Sequence, residues 1–168
     1  SLLASTVLFG QPVATYFNGA ETGTSGVIID DAGIDPALYS PVQSTLVADG
    51  GQAFHLVYTS LSGQTEPGAF QPTSLELDAT IRPTADTRLF FLSYLRAALT
   101  FQEAVVQVST NGGTSWTDLY EQAGSIEIPA GGGSVLLENA DPGFVLRDID
   151  LSAFAGQDIR LRFIFNPD

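Results

Sequence analysis

Cysteine is absent from this chain of 168 residues, lysine is absent too, and histidine occurs once, at position 55. Without cysteine there are no disulfides and no thiolate metal sites. Without lysine there is no Schiff-base chemistry and no lysine isopeptide cross-link. One histidine with no cysteine serves zinc poorly, and an acyl-transfer triad would have to take its base from His55 alone. That residue sits in Ala53-Phe-His-Leu-Val-Tyr58, a strand pattern with no serine elbow near it in sequence, so it reads as a structural histidine.

Positive charge is also scarce. Nineteen acidic residues face six basic ones, all arginine, for a formal net charge of −13. Such a surface repels phosphate backbones and anionic lipid and has no basic stripe, which argues against nucleic-acid partners and membrane insertion. A divalent cation or a neutral sugar suits it better, and the plainest reading of the charge is solubility in a salty or extracellular setting. The opening run SLLASTVLF is apolar but too short to span a bilayer and has no basic flank. It reads as a first strand or extension over residues 1–12, exposed by removal of a leader. The absence of cysteine points to a bacterial or archaeal secreted protein and away from a small disulfide-rich eukaryotic domain.

Helical periodicity is the next thing in short supply. Thr87–Gln102 can be drawn as an amphipathic helix, yet its aromatic content and the run Leu89–Tyr94 favour a strand over Arg88–Leu95. Elsewhere, short apolar runs are bounded by Gly, Pro, Asp or Asn. They predict strands at Val7–Phe9, Val13–Phe17, Val27–Ile29, Leu46–Val47, Ala53–Tyr58, Ser74–Ile81, Ala104–Ser109, Thr117–Tyr120, Ile126–Ile128, Phe144–Asp150 and Ile159–Asn166. In Ser74–Ile81 the residues Leu75, Leu77, Ala79 and Ile81 share one face; in Arg160–Phe165 the two arginines alternate with Leu161 and Phe163. The size fits one domain. A dozen short strands with little helix predict an all-β fold, two antiparallel sheets arranged as a jelly-roll sandwich. The Gly-rich stretch 124–143 reads as a long loop.

Between two apolar runs lies Ser109-Thr-Asn-Gly-Gly-Thr-Ser-Trp116. Asn111-Gly112 is a strong hairpin signal, since a type I′ turn needs positive φ at both central residues. Ser109, Thr110 and Thr114 can bond turn amides, and the Trp116 ring can fold over the turn. The stretch resembles the Asp-box pattern, Ser-x-Asp-x-Gly-x-Thr-Trp, with Asn111 in the Asp position and Ser115 in the Thr position. With the strand FFLSYL before it and FVLRDIDLSAFAGQDIRLRFIFNPD after it, the chain from about Ser74 to Asp168 resembles the MAM-like jelly-roll domains of bacterial secreted proteins, including those attached to immune-inhibitor-A-type metallopeptidases. Tyr16–Glu21 matches that family's early segment more weakly. The family continues into a last strand of the form Gly-Trp-x-Ile-Asp-Asp. Here the sequence stops at Asp168, so that strand is expected to be missing, cleaved off or supplied by another segment.

The resemblance implies a structural Ca²⁺ tying the first segment to the last strands, with Asn18, Glu21 and Asp168 as ligands and Asp30, Asp31 and Asp49 as helpers; calcium takes six to eight oxygens, often from distant loops. A sugar platform would draw on Trp116, Tyr120, Tyr39 or Tyr94, and no ligand-binding residue is singled out among them. No paired carboxylate is marked out for glycoside chemistry. The sequence therefore predicts a non-catalytic, extracellular or cell-surface module for adhesion or carbohydrate binding, with glycans or surface proteins as partners. The competing expectation is a structural subunit of a surface layer or filament, self-associating by strand exchange through its N-terminal segment.

Overall fold

The computed structural model describes residues 16–36, 39–56, 71–96 and 98–167. Among them the regular elements are strands, joined by turns and a single 3-10 turn at Ser152–Phe154. The largest sheet combines β1 (Val27–Asp30), β4 (Thr73–Leu77), β6 (Glu103–Ser109), β7 (Thr117–Ala123) and β11 (Arg160–Asn166). Its order is β1-β4-β11-β6-β7, and each neighbouring pair is antiparallel. Three two-stranded ribbons accompany it: β2 (Val42–Gln43) with β3 (Ala53–Phe54), β5 (Arg88–Ser93) with β10 (Val145–Asp150), and β8 (Ile126–Glu127) with β9 (Val135–Leu136). The protein is all-β, built from several antiparallel sheets.

Alternation places the core. Register pairs Phe163 with Leu75 and Val106, and Leu161 with Val108, so one face of the large sheet is a continuous apolar surface. Ile159, Leu161, Val108, Leu151 and Leu75 are at most 3% exposed, each worth about 1.5–3 kcal/mol of burial. Across that face lies the β5–β10 ribbon, whose inward residues Leu89 and Ile149 join the same cluster. Phe91 meets Phe163 edge-on at 5.1 Å and Tyr120 at 6.1 Å, the geometry aromatic rings prefer. A bulge between Val106 and Gln107 leaves Leu119 as the extra residue on β7, so Leu119 packs against the core cluster while its neighbour Tyr120 meets Phe91. That local break in alternation is what a bulge supplies.

A buried polar clasp ties the ribbon to the large sheet at one end. Asp141, 5% exposed, accepts from the Leu95 amide at 2.8 Å, from Gln122 Nε2 at 3.1 Å and from Arg147 Nη2 at 2.7 Å. Arg147 also donates to Gln122 Oε1 and Ser93 Oγ, both at 3.0 Å, and lies over the Tyr120 ring. Satisfaction of both charged partners is the condition under which such a buried pair is tolerated.

Several sequence expectations change. Leu46–Val47 is not a strand; Val42–Gln43 takes the pairing with Ala53–Phe54 instead. The run Ser74–Ile81 ends as a strand at Leu77, and Ile81 returns only as a bridge to Ile159. Residues 124–143 are not all loop, because Ile126–Glu127 and Val135–Leu136 pair across the glycines. Gly124 is held for a different reason. A Cβ there would lie 2.1 Å from the Leu99 carbonyl oxygen, since residues 98–100 run alongside 125–126 and exchange backbone hydrogen bonds with them. Thr87–Gln102 is strand at Arg88–Ser93, with no helix in its described residues. Val7–Phe9 and most of Val13–Phe17 lie outside the described residues, as do residues 57–58.

Candidate functional site

The second face of the large sheet carries the polar half of the alternation. Register sets Glu76, Arg162, Gln107 and Asp118 in one row across β4, β11, β6 and β7, and Ser74, Ile164, Val105 and Glu121 in the next. Together with Asp30, Glu103 and Asn166, all of these but Glu76 enclose an open groove of about 340 Å³. Its floor is partly apolar, Val105 and Ile164, and its rim is hydrogen-bonding. Arg162 Nε donates to Gln107 Oε1 at 2.7 Å, and Gln107 Nε2 donates to Asp118 Oδ1 at 2.6 Å. Burial lowers the Arg162 pKa from its ordinary value, while Glu76 and Asp118 act in the opposite direction. Arg160 does not line the groove; it pairs with Glu76 at 2.5 Å.

The Ser109–Trp116 stretch joins β6 to β7 beside the groove. Its loop is wider than the two-residue I′ turn expected: β6 ends at Ser109 and β7 begins at Thr117. The positive φ values fall on Gly112 (70°) and Gly113 (93°) and not on Asn111. Asn111 is instead free to use its side chain as a brace. Its Oδ1 accepts from the Ser109 hydroxyl and the Ser115 amide, both at 2.9 Å, and its Nδ2 donates to Ser115 Oγ at 2.8 Å. Ser109 Oγ takes the Gly113 amide at 2.8 Å. The braced loop folds Trp116 back so that the Arg162 guanidinium lies 4.2 Å from the ring centroid, a cation–π contact. The hairpin is thus a structural brace that also sets an aromatic ring against Arg162 of the groove.

No family model, curated protein or solved structure matches this chain. What the groove does must be argued from its residues.

The expected calcium ligands come together only in part. Asn18 and Glu21 line a second, shallow groove of about 390 Å³ formed by the turn that precedes β1. Asn18 Oδ1 accepts the Ala20 amide at 2.9 Å and its Nδ2 donates to the Ser25 carbonyl at 2.8 Å. Glu21 Oε1 accepts the amides of Gly51 and Gln52 at 2.9 and 3.0 Å. One oxygen of each is therefore already used in shaping backbone, leaving Glu21 Oε2 for a cation, and Asp168 lies outside the described residues. Asp30, Asp31 and Asp49 each accept an amide from their own turn. Among the described residues no three His, Asp or Glu side chains converge. Calcium takes six to eight oxygens, and Asn18 and Glu21 are the two expected ligands that fall among the described residues.

The aromatic candidates separate by face. Trp116 stands against Arg162, Tyr120 turns inward beneath Arg147, and Tyr94 packs on Phe144 at the edge of the β5–β10 ribbon. Tyr39 is buried beside His55, ring centroids 5.6 Å apart, and its hydroxyl donates to the His55 carbonyl. Burial and the nearby Asp31 push the Tyr39 pKa up to about 12, and burial lowers that of His55. His55 does not line the groove. Arg162 and Gln107 were not singled out as ligand residues by the sequence. The alternation of Arg160 and Arg162 with apolar neighbours was the available signal, but which partners they meet depends on strand order.

Proposed function

We propose that this chain is a non-catalytic carbohydrate-binding module of the jelly-roll sandwich class, with its glycan lying across the open face of the five-stranded sheet. One observation carries the reading: Trp116, Arg162, Gln107 and Asp118 form a linked polar and aromatic edge beside the apolar floor of Val105 and Ile164. Sugars need this combination, because a pyranose ring offers an apolar face for stacking and a rim of hydroxyls that donate and accept. The braced Ser109–Trp116 hairpin fixes the aromatic element before the ligand arrives, which lowers the ordering cost of binding. The opposed packing of the β5–β10 ribbon on the large sheet supports the sandwich, and the hairpin with the Asp150–Phe163 segment supports the MAM-like resemblance. An acidic rim and the lack of lysine fit a neutral glycan in an extracellular setting, where adhesion to a glycan-bearing surface is the natural role. Calcium at Asn18 and Glu21, completed by Asp168, would be an accessory to stability.

The test is a glycan array read with the wild-type chain and with Trp116→Ala and Gln107→Ala. Hits on neutral glycans that both substitutions remove, with melting temperatures within a few degrees of wild type, support the reading. An array without hits sinks it. Melting curves with and without calcium test the accessory ion separately. The competing reading, self-association by strand exchange through the N-terminal segment, falls on residues 1–12, which lie outside the described residues.

A further inference from the structure

The outward face of the β5–β10 ribbon is as apolar as the groove is polar. Register places Leu92 opposite Leu146 and Phe90 opposite Asp148. Phe90, Leu92 and Leu146 are 58%, 47% and 61% exposed. The same alternation continues one step to Tyr94 and Phe144, whose rings lie 5.7 Å apart. Three exposed apolar side chains thus lie side by side away from the core, with the half-buried Tyr94–Phe144 pair at one end. Single exposed apolar residues are ordinary, but a contiguous stripe of them marks a contact surface.

The ends of the stripe carry opposite charge. At one end Arg88 pairs with Asp148 at 2.5 Å and lies 3.7 Å from Asp150, one cation against two anions. At the other end, two residues beyond Tyr94, stands Arg96, exposed and in no ion pair among the described residues. Two arginines and two aspartates make the face neutral in a molecule of net charge −13. The groove on the large sheet, by contrast, sets Asp30, Glu103, Asp118 and Glu121 against Arg162, and two such faces would repel.

We infer that this face binds a second copy of the chain, the two ribbons packing face to face about a two-fold axis near the Leu92–Leu146 pair. A two-fold contact must be self-complementary. Antiparallel stacking meets that demand, since it sets Leu92 and Leu146 on their own equivalents and brings Arg96 of each copy to the Asp148–Asp150 end of the other. The stripe from residue 88 to 96 is about 27 Å long and two strands wide, roughly 10 Å. It would bury on the order of 300 Å² per copy, well under the ~800 Å² of a standard interface, so the dimer is weak, with a dissociation constant on the order of 0.1 mM. Pairing in this way leaves the grooves on opposite outer faces of the dimer, so the two sites would bridge two glycan-bearing surfaces and not meet one together. The dimer itself stands whether or not the groove binds sugar.

Sedimentation equilibrium of the whole chain from about 10 μM to 1 mM decides the matter. The wild type should move from monomer toward twice the monomer mass, and Leu146→Asp should stay monomeric with an unchanged melting temperature. Arg96→Glu should weaken the dimer at least fivefold, and adding Asp148→Arg to it should restore association. A wild type that remains monomeric throughout overturns the inference. So does a Leu146→Asp variant that melts far below wild type, because the stripe would then be covered by its own chain. An Arg96→Glu variant that associates as the wild type does overturns the two-fold arrangement.

Discussion

Removal of the Asp141 carboxylate is the perturbation that best tests how the ribbon is held to the sheet. Asp141→Ala deletes an acceptor that serves the Leu95 amide, Gln122 and Arg147. The guanidinium left behind has an exposure of 18%, so water reaches it poorly and its charge loses its buried partner. Breaking such a pair costs about 3–5 kcal/mol, a large share of the roughly 5–15 kcal/mol that stabilises a typical domain. At this chain length each kcal/mol lowers the melting temperature by about 2–4 °C, so a fall of about 10–15 °C is expected. Urea unfolding followed by circular dichroism and by the single tryptophan should show the same loss in midpoint with an unchanged slope. The comparison variant is Asp158→Ala, which removes an exposed partner of Arg82 and should leave the melting temperature where it was. If Asp141→Ala falls by less than about 3 °C, or no further than Asp158→Ala, the clasp is not the joint described above.

Further substitutions follow from the same structure. Gly124→Ala forces a methyl group against the Leu99 carbonyl and should cost about 3 kcal/mol, whereas Gly131→Ala, with nothing within 4 Å of the added atom, should be neutral in the same urea assay. Gly113→Ala puts a side chain at a φ of 93° and should cost about 1–2 kcal/mol. Trp116→Ala should cost about 1 kcal/mol through the lost contact with Arg162, seen as a small drop in melting temperature beside a complete loss of glycan hits. The His55 pKa lies below its ordinary 6.5 because burial disfavours the cation. Unfolded chains therefore bind the proton more readily. Stability contributed by neutral His55 is present above pH 6.5 and is lost as pH falls through 6.5 toward the lower folded value. Urea midpoints measured between pH 7.5 and 5 should decline, and His55→Gln should flatten that decline.

The all-β class and most strand positions follow from sequence because a period-two pattern is a local property. Ser74–Leu77, Arg88–Ser93 and Arg160–Asn166 each declare a buried and an exposed face within a few residues. The pattern misleads where pairing and not patterning decides. Leu46–Val47 is apolar enough for a strand, yet Val42–Gln43 is what meets Ala53–Phe54. The residues from Asn111 to Gly113 carry the right turn chemistry, but the positive φ values sit one position later than the dipeptide rule gives, because the Asn111 amide is used to brace a wider loop.

Composition and alternation settle the exclusions and the faces: no disulfide, no lysine chemistry, an acidic surface, and strands with one apolar side. What those faces meet comes from the pairing of strands distant in the chain. Strand order β4-β11-β6-β7 brings Glu76, Arg162, Gln107 and Asp118 into one row although they lie as much as 86 positions apart. The same is true of Asp141, whose partners come from Leu95, Gln122 and Arg147. Alternation says which side a residue takes; it carries no information about which strand lies alongside, and that neighbour decides whether an arginine stacks on a tryptophan, clasps a buried aspartate or stays exposed.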